Sequence, residues 1–104
     1  MRNSSRKTTP TIDGYTPRSV QRVLTRSKQA LVRLNDIEGY LMDIGKVIYL
    51  NTDDEYMMMS TLKCVHDAQK QMSELYTRFA TKQTILTNRQ ALDDVRAAEN
   101  SAQS

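Results

Sequence analysis

His66 and Cys64 are the only imidazole and the only thiol in the chain. A nucleophile–base pair or a metal pair on a helix needs both side chains on one face, which spacings of three or four residues provide. Two positions apart they diverge, so neither chemistry is expected of them. The run Asn51-Thr52-Asp53-Asp54-Glu55 is the other concentration of ligand-type atoms. It lacks the Gly and the final Glu of an oxygen-rich Ca²⁺ loop. Thr52 followed by Glu55 instead matches a helix capping box, and Asp53 and Asp54 suit the positive end of a new helix. No Gly-rich phosphate loop, nucleophile elbow or paired-His motif occurs. The chain is therefore expected not to be an enzyme, and to need no metal, cofactor or small-molecule substrate.

Charge carries more information. Residues 1–33 hold eight Lys/Arg against Asp13 alone, a balance of +7, within a chain of net charge +3. Residues 34–62 hold Lys46 against six carboxylates, a balance of −5. Arg18, Arg22, Arg26 and Arg33 fall within an arc of about 80° on a helix, roughly opposite its apolar seam. With Arg2, Arg6 and Lys7 ahead of them they form a candidate footprint for a phosphate backbone, DNA or RNA. No groove-reading motif accompanies it, so such binding would be sequence-tolerant and salt-sensitive. The alternatives are a solvated basic face or one that pairs with acidic residues of a neighbouring copy.

The elements that must carry these residues are helices. From Arg18 onward there is no Pro and only Gly39 and Gly45, while Leu, Met, Gln, Ala, Lys and Arg, good helix formers, dominate. The predicted fold class is all-α: two long antiparallel helices, a coiled-coil-like helical hairpin, behind a flexible basic N-terminal arm. Residues 1–15 read as the arm, with a turn at Asp13-Gly14. Thr16-Pro17 reads as an N-cap and first helical residue. The pattern predicts a helix over 17–50, a turn at 51–53, a helix over 54–99 and a frayed tail at 100–104.

In the first helix the apolar seam reads Val20, Leu24, Ser27, Leu31, Leu34, Ile37, Leu41, Ile44 and Ile48. It contains a three-residue slip between Leu34 and Ile37 that would overwind a coiled coil. In the second helix Met58, Leu62, Val65, Gln69, Met72, Tyr76, Phe79, Gln83 and Leu86 keep an unbroken heptad. Gln69 and Gln83 stand in that seam, either as buried register-setting amides or at a wet edge. A short turn forces the helices antiparallel, which brings Leu41 near Leu62.

Around the turn, apolar residues go well round both helices: Tyr40, Met42, Val47 and Tyr49 on the first, Tyr56, Met57 and Met59 on the second. One neighbouring helix cannot cover side chains about 100° apart. Tyr40, Val47, Tyr49, Tyr56, Met57 and Met59 are therefore candidate partner-interface residues.

With 38% hydrophobic residues, 6% aromatic and no Trp, 104 residues make a thin core. These features lead to the expectation of a non-enzymatic, self-associating assembly protein, a homo-oligomer or part of a larger assembly, with a basic end for an anionic partner such as nucleic acid. A small inhibitor or adaptor docking on one larger protein is the alternative. Basic arm, hairpin over residues 16–90 and small size also resemble the small terminase subunits of tailed phages, which implies ring assembly and DNA loading. No run of 18 apolar residues marks a membrane span. The basic start has no apolar stretch behind it, so no secretory signal is expected. The expected location is cytoplasmic or within a virus particle.

Overall fold

A computed structural model of the protein describes residues 10–48 and 51–103. Two helices form it, α1 over Pro17–Gly45 and α2 over Thr52–Gln103. No strand occurs among the described residues, and the fold is the all-α helical hairpin expected from the sequence.

The ends of the helices are set by local hydrogen bonds. Thr16 caps α1: its Oγ1 accepts from Ser19 N at 3.1 Å and its carbonyl from Val20 N at 3.0 Å. Pro17, which has no N–H to leave unsatisfied, follows at the first helical position. The helix stops at Gly45 rather than near Leu50. Gly is a poor helix former, and the bonds Lys46 N to Asp43 O (3.2 Å) and Val47 N to Ile44 O (2.9 Å) tighten the last turn. The connection thus begins at Lys46 instead of Asn51.

The cap of α2 also differs from expectation. Asn51, not Thr52, holds the new helix: its Oδ1 accepts from Asp53 N at 2.9 Å and Asp54 N at 3.1 Å. One amide oxygen thereby satisfies two of the helix's orphan donors, and Thr52 becomes the first helical residue. Helix α2 continues to Gln103, so the residues read as a tail at 100–103 are helical.

Contacts divide the chain into two units. One contains the described residues through Leu24 together with α2 from Arg78 onward; the other is Thr25–Thr77. In the first unit Val20, Leu24, Phe79 and Leu86 are buried, Val20 completely. Gln83 Nε2 donates to Gln21 Oε1 at 2.6 Å across the antiparallel pair.

Residues 10–15, read as the end of a flexible arm, instead fold against the helices of this unit. Ile12 and Tyr15 exchange backbone hydrogen bonds of 3.0 and 2.9 Å around Asp13 (φ 53°) and Gly14 (φ 85°). Two successive positive φ angles are what a type I′ turn requires, and Asp-Gly tolerates them. Tyr15 then meets Phe79 edge-on at 5.1 Å between ring centroids. Lys82 stands over both rings and pairs with Asp13, while Arg89 Nη1 donates to Thr11 O at 2.8 Å.

Among the described residues of the second unit the seam contains no fully buried apolar side chain, and Ser27 is the one buried residue. The α1 seam also has no slip. Ile37 and Ile44 are 42% and 47% exposed, whereas Glu38 and Gly45 are half-buried. Leu31, Leu34, Glu38, Leu41, Gly45 and Ile48 therefore keep strict heptad spacing. A polar residue is accommodated in the seam because α2 supplies it with hydrogen-bond donors, and no overwinding is needed. The α2 seam lies where its heptad predicts, and α2 has no buried residue past Leu86.

This core makes a direct prediction. Leu24→Ala should lower stability by about 2–5 kcal/mol, as for other buried leucines. Leu92→Ala, beyond the end of the seam, should cost about half a kcal/mol or less. Urea melts of the two variants compare them; equal shifts would mean the seam continues past Leu86.

Candidate functional site

The four described arginines of the basic stripe are all exposed: Arg18 and Arg22 in the first unit, Arg26 and Arg33 in the second. None of them takes part in an ion pair among the described residues; Arg26 Nη1 donates to Gln29 Oε1 at 3.1 Å. Arg2, Arg6, Lys7 and Tyr49 lie outside the described residues. The basic residues of α2 behave differently, since Lys82 and Arg89 are engaged by the turn at residues 11–15. Asp13 is held below the ordinary carboxylate range, first by the hydrogen bond and charge of Lys82, with Arg78 and Arg89 adding to it.

Tyr40, Val47, Tyr56, Met57 and Met59 are 63 to 75% exposed. The interface expected from the sequence is thus uncovered surface of the second unit, and Ile37 and Ile44, read as seam, join it. A cleft of about 270 Å³ opens among Ile48, Asp54, Met57, Met58 and Thr61.

Between α1 and α2 in this unit runs a polar layer. His66 Nε2 donates to Glu38 Oε2 at 2.6 Å. Gln69 Nε2 donates to Asn35 Oδ1 at 3.0 Å and Glu38 Oε1 at 3.3 Å. Both carboxylate oxygens of Glu38 are thereby satisfied, and the hydrogen bond from His66, then that from Gln69, hold its carboxyl below the usual range. Gln69 acts at a half-buried seam position, between the two readings its spacing left open. Cys64, two residues before His66, is a free and exposed thiol. No group of three or more His, Cys, Asp or Glu side chains able to hold a metal occurs among the described residues.

The first unit carries a groove of about 510 Å³ lined by Pro10, Pro17, Val20, Gln21, Gln83 and Leu86 and running on to Asp94. Its size is in the range of small-ligand sites, but its lining includes no His, Cys, Lys or Arg. No helix among the described residues is long and apolar enough to cross a membrane. No protein-family model matches the chain, and neither does any curated protein or solved structure.

The partners of Asp13, Lys82 and Glu38 could not be read from spacing, since they lie 69 and 28 residues apart. Their carboxyl values give a sign. A carboxyl whose folded pKa lies below its unfolded value, 3.8 for Asp13 and 4.5 for Glu38, contributes stability at higher pH that is lost as pH falls through the folded value. The melting temperature should therefore drop on acidification below about pH 4.5, and the double variant Asp13→Asn, Glu38→Gln should show a flatter profile. Thermal melts between pH 7 and pH 2 test this; parallel profiles would remove both pairs as the cause.

Proposed function

We propose that this chain is a non-enzymatic assembly protein that self-associates through the exposed apolar surface of Thr25–Thr77. Its arginines hold an anionic partner, most simply a DNA or RNA backbone. The observation that carries the first half is the mismatch within that unit. Among its described residues it fully buries no apolar side chain, yet it leaves Tyr40, Val47, Tyr56, Met57 and Met59 mostly uncovered. Large apolar patches of this kind mark interaction sites.

Support for the second half is electrostatic. Arg18, Arg22, Arg26 and Arg33 are exposed and free of internal carboxylate partners among the described residues. The +7 balance over residues 1–33 surrounds them. Guanidinium groups in this state can contact phosphates without breaking an ion pair first. Because the contacts are to backbone and not to base edges, they select charge and not sequence.

Gel retardation of duplex DNA and of RNA at about 50 mM salt, with light scattering at two protein concentrations, tests both halves. Affinity should fall by roughly 0.9 log units per log unit of salt for each duplex phosphate neutralised. Replacing Arg18, Arg22 and Arg26 with Gln should weaken binding to all sequences alike and flatten that slope, with helicity kept. Absence of any retardation would remove nucleic acid as the partner. A monomer at every concentration would turn the reading towards an adaptor that docks on a different protein.

A further inference from the structure

The uncovered surface of Thr25–Thr77 is organised as one face. In an antiparallel pair, the residue just before each seam position points to the same side on both helices, because the helices share a hand and run in opposite directions. On α1 those residues are Ile37, Tyr40 and Ile44, with Val47 continuing the spacing just past its end; on α2 they are Met57, Thr61, Cys64 and Ala68. The residues just after the seam form the opposite side, where Val32, Met42 and Met59 are interspersed with Asn35, Lys46, Lys63, His66 and Lys70. The first side of this unit thus carries a continuous apolar stripe, and on the other the apolar residues are broken up by charged and polar ones.

The two stripes of the apolar face differ in size, row by row. Glu38 is level with His66 and Asn35 with Gln69. The same register sets Tyr40 level with Cys64, and Ile37 and Ile44 within one residue of Ala68 and Thr61. Three successive rows therefore place a bulky α1 side chain beside a small α2 side chain, making a ridge along α1 and a trough along α2. Arg33 and Gln71 close the face with polar groups in the next row. A ridge and a trough at matching levels form a self-complementary surface, as a two-fold interface requires.

Area points the same way. The exposed parts of Ile37, Tyr40, Ile44, Val47 and Met57 amount to apolar surface on the order of 600 Å², the upper end of single patches on monomers. That approaches the roughly 800 Å² each partner contributes to a standard interface.

We propose that a second copy docks on this face. The two-fold axis runs along the helices, so that the Ile37–Tyr40–Ile44 ridge of each copy fills the Thr61–Cys64–Ala68 trough of the other. The product is a four-helix bundle in which every neighbouring pair is antiparallel. This rests on the self-association proposed above and specifies its surface and symmetry.

The test uses the full chain in sedimentation equilibrium. Tyr40→Lys and Ile44→Lys should each yield a helical monomer, while Val32→Lys and Met42→Lys, off this face, leave the unmodified protein's dimer in place. On the unmodified chain, labelling of Cys64, the sole thiol, by a maleimide should slow at least several-fold as concentration rises through the dimerisation range, a readout that needs no variant to fold. If the protein dimerises but Cys64 stays equally reactive, or if the Val32 and Met42 changes break the dimer and the Tyr40 and Ile44 changes do not, this face is wrong and self-association stands. If no dimer forms at any concentration, self-association itself fails.

Discussion

Two helices packed side by side hide only the residues on the line between them, and that geometric limit governs this protein. A seam of one residue per half-heptad on each helix leaves most of the circumference in water. The first unit answers the limit with a third element. The turn at residues 11–15 lays Tyr15 on Phe79 and clamps Lys82 and Arg89, in the same unit as the four buried apolar side chains among the described residues. The second unit has no such element, and there the apolar excess remains on the surface.

The seam of the second unit is also where polar groups specify the pairing. Glu38 in a heptad position would be costly if left alone, since an unpaired carboxylate loses its hydration. His66 and Gln69 supply donors to its two oxygens, so the layer is satisfied and marks one register out of several that leucines alone would allow. Polar residues in a seam commonly trade some stability for such specificity.

Charge and apolar surface act through different physics, which suits two separate contacts. Exposed ion pairs such as Lys46–Asp43 and Lys63–Asp67 contribute little to stability. Among the described residues Arg18, Arg22, Arg26 and Arg33 stand outside such pairs, and the anionic contact proposed for them would act through long-range attraction. Apolar faces act only at contact and demand matched shape, so they decide which copy or partner fits.

Much of this was legible in the residues alone. Helix-forming composition, the Thr16-Pro17 start and the α2 heptad from Met58 to Leu86 determine the two helices and the inward face of α2, because backbone propensity and 3.6-residue periodicity are local properties. The exposed Tyr and Met residues near the connection were legible for the same reason. Tertiary structure alone decided the rest. Ile37 reads as seam by hydrophobicity, yet Glu38 takes the place, because the choice depends on donors that His66 and Gln69 bring from the other helix. Residues 10–15 read as loose arm by composition, yet they dock, because Phe79, Lys82 and Arg89 stand more than 60 residues away in sequence and adjacent in space. Local pattern determines which helices form; which of their faces are satisfied is decided by partners that only folding brings within reach.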